Sequence, residues 1–60
     1  MRVKFSELRA GDRFVVFNTS TGQHEIVVVV GVEVKGFYTV VSHVDDLPLL
    51  EESEGLVILV

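Results

Sequence analysis

The chain contains no cysteine, which removes both the disulfide framework of small secreted domains and a thiolate zinc site as ways of holding it together. Proline occurs once, at Pro48, and alanine once, at Ala10. No ten-residue window carries a helical stripe of apolar side chains, so a helical domain is excluded. The longest apolar stretch, Ile26 to Val32, is interrupted only by Gly31 and falls far short of the roughly 18 residues that indicate a membrane span. The opening Met1-Arg2-Val3-Lys4-Phe5 has neither the apolar stretch nor the small-residue cleavage site of a secretion signal. A soluble cytoplasmic protein is expected. Basic residues are also scarce, five against nine acidic ones for a net charge of −4, which disfavours a sequence-independent grip on nucleic acid, where neutralising phosphates supplies most of the affinity.

What the chain has in abundance is β-branched side chains. Fourteen valines and two isoleucines in 60 residues favour extended backbone, because branching at Cβ suits a pleated surface and is costly in a helix. Residues 1–60 make one domain near the lower size limit, with a thin margin of stability. A hydrophobic content of 48% and a positive mean hydropathy of +0.49 exceed what so small an interior hides, so association with a partner or with itself is expected.

The alternation in Arg2 to Phe5 predicts a first short strand with Val3 and Phe5 inward. Ser6 to Ala10 reads as one helical or irregular turn, with Leu8 plugging the core and Gly11-Asp12 making a bend. A second strand is predicted from Asp12 to Asn18, then a polar hairpin loop, then a long third strand from His24 to Val34. Read straight through, that strand puts Ile26, Val28, Val30, Val32 and Val34 on one face and Glu25, Val27, Val29, Gly31 and Glu33 on the other. Gly31 marks a bulge or bend. Lys35-Gly36 turns into a fourth strand, Phe37 to Val44. The acidic stretch 45 to 55 is expected to be a loop, with Leu47, Leu49 or Leu50 capping one end of the core. A fifth strand, Leu56 to Val60, has no polar alternation and calls for cover on both faces, most simply beside the first strand or in a subunit interface. The expected architecture is an all-β, five-stranded antiparallel barrel of the Src-homology-3-like type; the alternative is an open two-layer sheet completed by dimerisation.

The segment Leu8-Arg9-Ala10-Gly11-Asp12-Arg13-Phe14 fits Leu-x-x-Gly-Asp-x-Phe between two strands. In this it resembles small uncharacterised bacteriophage and bacterial β-barrel proteins, over most of the chain. The resemblance implies a fold and a phage or prophage origin, with no activity attached. Physically, Gly11 takes the backbone angles of a bend, Asp12 accepts backbone N–H groups, and Phe14 is the first large core anchor.

Sites for chemistry are sparse. His43, Asp45 and Asp46 put an imidazole and two carboxylates at a strand end, the donor types of a divalent metal or a proton relay. Three donors within four residues, with no second ligand group pinned elsewhere, do not make a centre. A polar strand end explains them. His24-Glu25 alternate across a strand, which is ordinary for an exposed hairpin. Ser6, Ser20, Ser42 and Ser53 lack a nucleophile-elbow context or a partner base. Neither Thr21-Gly22 nor Gly36 builds a phosphate-cradling loop. No catalytic residue, metal or cofactor is assigned, and the chain is not expected to be an enzyme.

Placing Phe14 and Val16 inward turns Arg13, Val15 and Phe17 outward. With the straight reading of the third strand, Val27 and Val29 join them, and Val15, Phe17, Val27 and Val29 form the predicted apolar interaction patch. The expected function is a non-catalytic protein-protein interaction or assembly module that binds a protein partner, including a second copy of itself. Glu51, Glu52 and Glu54 would steer a basic partner. The alternative is a nucleic-acid-binding barrel using Arg2, Lys4, Arg9 and Arg13 with Phe17 or Tyr38. For Phe37 and Tyr38 the simpler expectation is that one is core and its neighbour packs beneath a loop.

Overall fold

A computed structural model describes residues 1–44 and 47–60. The strands are β1 (Arg2–Lys4), β2 (Arg13–Asn18), β3 (Gln23–Lys35), β4 (Tyr38–His43), β5 (Leu49–Glu52) and β6 (Leu56–Ile58), with one 3-10 turn at Phe5–Glu7. All pairings are antiparallel: β2-β3-β4-β5 form a curled sheet, and β1 pairs with β6. A single bridge, Phe14 to Leu59, ties β6 to the start of β2. The result is an all-β, barrel-like fold. Among the described residues no helix is long and apolar enough to cross a membrane.

The opening motif does the local work its residue types imply. The Asp12 carboxylate accepts the Arg9 N–H at 2.9 Å, and Gly11 has φ 94°. Backbone bonds from Gly11 N to Val29 O and from Val29 N to Asp12 O, both 2.9 Å, fasten the bend to β3. Leu8 is buried behind it. Asn18 organises the next hairpin, its side-chain oxygen accepting the N–H groups of Ser20 and Thr21, an Asx turn that replaces backbone pairing at the loop.

The core is Phe5, Leu8, Phe14, Val27, Val29 and Val41, with Val3, Val16, Val32, Leu49, Val57 and Leu59 packed around it. Phe5 and Phe14 meet edge to face, centroids 6.1 Å apart, the arrangement that ring quadrupoles favour.

Two expectations about the elements change. The acidic stretch is not all loop, because Leu49–Glu52 pairs with β4 from Val41↔Leu49 to Tyr38↔Glu52, which raises the strand count from five to six among the described residues. Pro48 stands just before that strand, where a missing N–H costs nothing. Of the three leucines, Leu49 is half-buried against the core, while Leu47 and Leu50 are exposed. Near the aromatics, Phe37 is 81% exposed and Tyr38 half-buried; neither joins the core, since Phe37 sits in the turn after Gly36.

Candidate interaction surface

The hairpin fixes how β2 meets β3. Asn18 pairs with Gln23, and counting back gives Phe17↔His24, Val15↔Ile26, Phe14↔Val27 and Arg13↔Val28. Directly opposed residues of an antiparallel pair share a face. Val27 therefore goes inward with Phe14, and Ile26 and Val28 go outward with Val15 and Arg13.

Beyond Val29 the partnering shifts by one. Val29 faces His43, but Gly31 faces Ser42 and Val32 faces Val41. Val30 is the extra residue of a β-bulge, and the alternation changes phase across it. Val27 and Val29 point inward before the bulge, and Val32 packs inward after it. An unbroken alternation through Gly31 assigns the wrong face to half the strand.

The interaction patch is corrected accordingly. Val27 and Val29 are 6% and 2% exposed and belong to the core, so they do not form a surface with Val15 and Phe17. Val15, half-buried, and Phe17, 55% exposed, do face outward. The side chains beside them are Ile26, Val28 and Val30, all exposed. The bridge between Phe14 and Leu59 places Ile58 opposite Val15 and Val60 opposite Arg13, with Val60 N donating to Arg13 O at 3.0 Å. Ile58 and Val60 are exposed too. An apolar face thus runs across β3, β2 and β6. The signal that finds it is in the sequence: the polar loop sets the hairpin register, and the bulge at Gly31 requires the two halves of β3 to be counted separately.

The borders of this face are polar. Arg13 flanks it at the start of β2, Arg2 lies beyond Ile58 through the β1-β6 register, and the His24 ring packs on Phe17 at 5.1 Å. An apolar centre with a polar rim is the anatomy of a protein interface.

The basic residues do not gather into a phosphate track. Arg2 and Lys4 are outward on β1, Arg9 sits in the turn and Arg13 on β2. Lys4 Nζ is paired with Glu54 Oε1 at 3.1 Å, and that hydrogen bond, then the Glu54 charge, raises the Lys4 pKa above its ordinary value. Phe37 and Tyr38 pack against each other instead.

His43 Nε2 lies 3.0 Å from the Leu47 carbonyl; Asp45 and Asp46 lie outside the described residues. Among the described residues no three His, Asp or Glu side chains group as metal ligands. Ser53, considered above only as a nucleophile, has a structural task. Its Oγ donates to Gly36 O at 2.7 Å and lies 2.7 Å from Thr39 Oγ1. Having one proton to give, it accepts from Thr39.

A second feature lies on the concave side of the curled sheet. An open cleft of about 650 Å³ is lined from β2, β3, β4 and β5, with Phe14, Val16, Phe17, Val27 and Leu49 apolar and Glu25, Glu51 and His43 polar. No protein-family model, curated protein or solved structure matches the chain, and the functional reading rests on these surfaces.

Proposed function

We propose that this chain is a small non-catalytic interaction module that binds through the outer face of β2 and β3, and that its first occupant is a second copy of itself. The observation that carries the reading is the exposed apolar set Phe17, Ile26, Val28 and Val30 beside Val15. A face of this kind is self-complementary without charge matching, as a two-fold interface must be. The size of the core points the same way. Six buried apolar residues in a 60-residue chain without disulfides leave little stability to spare, and an interface adds burial that the monomer lacks. The resemblance of the opening motif to small bacteriophage and bacterial barrels supports a phage or prophage origin, and the long bulged β3 supports a Src-homology-3-like kinship.

Light scattering across a concentration series tests the reading. The wild-type chain is expected to reach twice its 6.7 kDa with little response to salt, and an Ile26→Lys/Val30→Lys double variant is expected to stay monomeric with an unchanged β spectrum. A wild-type chain that remains a monomer throughout overturns self-association. Oligonucleotide binding that weakens steeply with salt would favour the nucleic-acid alternative.

A further inference from the structure

The concave cleft is a different surface from the outer face, the two meeting at Phe17 on the β2 edge, and the backbone around it has pairing capacity left. In β2, Val29 N donates to Asp12 O while Val60 N donates to Arg13 O. Even-numbered β2 residues therefore aim their backbone groups at β3 and odd-numbered ones away from it. Past the single bridge at Phe14, no strand among the described residues lies along that outer edge. The N–H and C=O of Phe17 face it. In β5, Ser53 N donates to Phe37 O, so the register directs the backbone groups of Leu50 away from β4. The curled sheet thus ends in two open edges, β2 and β5, whose side chains both line the cleft.

The chemistry of the cleft selects what fits. Its floor is apolar, through Phe14, Val16, Val27 and Leu49, while Glu25 and Glu51 add two carboxylates. Among the described residues the ion pairs are Lys4 with Glu54 and Lys35 with Glu33; Glu25 and Glu51 take part in neither. Glu25 accepts a neutral amide hydrogen bond from Asn18, at 3.2 Å.

We infer that this cleft receives an extended peptide segment that adds as a strand to the open edge of β2 and presents both apolar and basic side chains to the cleft at every second position. Strand addition draws affinity from main-chain hydrogen bonds and specificity from alternate side chains. Glu25 and Glu51 share the concave face with Val16 and Leu49, so the cleft-facing positions carry apolar residues over the floor and Lys or Arg opposite the two carboxylates, while the residues between them face outward. The net charge of −4 attracts such a segment at long range.

The test titrates the full chain, labelled with nitrogen-15, with an eight-residue peptide carrying lysine, valine, valine and lysine at its odd positions and serine at its even ones, and with a counterpart carrying glutamate for lysine. The lysine peptide is expected to shift the amides of Phe17 and Leu50 and of the cleft residues. The glutamate peptide is expected to bind at least tenfold more weakly, and a Glu25→Gln/Glu51→Gln variant to lose about tenfold in affinity for the lysine peptide. These two side chains lie outside the core, and an unchanged spectrum for the free variant confirms its fold. Failure of the lysine peptide to bind, equal binding of both peptides, or shifts confined to Ile26, Val28 and Val30 overturns the proposal. The dimer reading stands or falls separately, because scattering without peptide decides it.

Discussion

At the scale of single residues, two glycines distinguish backbone need from open space. Gly36 has φ 81°, a conformation that costs an L-residue about 1–2 kcal/mol. Gly31 is outside the positive-φ region, and a Cβ there meets nothing within 4 Å. Gly36→Ala is expected to lower the thermal midpoint by several degrees, about 4–8 °C per kcal/mol for so small a domain. Gly31→Ala is expected to leave it unchanged or slightly raised, since it only restricts the unfolded chain. Calorimetry on both variants checks the contrast; a Gly31→Ala loss as large as that of Gly36→Ala would contradict it.

The buried hydroxyl pair belongs to the same scale. Ser53→Ala deprives the Thr39 hydroxyl of its acceptor and the Gly36 carbonyl of its donor, a cost of about 1–3 kcal/mol. Thr39→Val puts a methyl in place of the hydroxyl and leaves Ser53 donating to Gly36 O, so the expected loss is smaller. Denaturant midpoints order the two, and equal losses would reject this donor assignment. Nothing in the sequence around Ser53 distinguishes it from the exposed serines, because its role comes from a partner fourteen residues away. At the surface, the raised Lys4 pKa makes its ion pair with Glu54 fully present below the unfolded value of 10.5. It is lost as the pH rises through the higher folded value, so a melting series from pH 6 to 9 is expected to show no transition from this group.

At the scale of elements, β3 carries the sharpest expectation. Val29 and Val30 are adjacent valines, one 2% exposed and the other 54%. Val29→Glu buries an unpaired carboxylate and is expected to unfold the domain. Val30→Glu is expected to keep the fold and abolish self-association. Circular dichroism and light scattering on the pair separate the two effects; a folded Val29→Glu would contradict the assigned phase.

The same strand shows where the sequence is legible. The short first strand, the Leu8 plug, the bend at Gly11-Asp12 and the irregularity at Gly31 all follow from local residue chemistry. The faces of β3 do not follow from alternation alone, because valine occupies both sides from Val27 to Val30 and leaves no polar residue to mark the outside. Long-range register decides them. β5 is obscured for a related reason, since Pro48 and two glutamates resemble a loop until β4 supplies a partner. The outer face is partly legible, through Val15 and Phe17, because Arg13 at the start of β2 marks the outward side for the odd-numbered residues.

For the whole molecule, the division of surfaces matters more than any one residue. The outer face is apolar and bordered by Arg2 and Arg13, whereas the concave side carries Glu25 and Glu51. If the outer face joins two copies, folding and association are linked, and the thermal midpoint rises with chain concentration. Scanning calorimetry over a hundredfold range of concentration checks this. A constant midpoint would leave the monomer stable by itself and count against the linkage.

The bulge at Val30 has a consequence for how this strand tolerates changes of length. Val30 takes up a single step, after which the valines beyond it fall back into phase with the core. Removing one residue elsewhere in β3 would turn a segment over and exchange its inside for its outside, whereas removing two would shorten the strand with its facing intact. Removing Val30 itself would straighten the ladder and leave both halves facing as they do now, with Val27, Val29 and Val32 still inward. Viable length variants of this hairpin should therefore differ by even numbers of residues within the strand, with odd numbers confined to the bulge at Val30 and to the loop from Thr19 to Gly22.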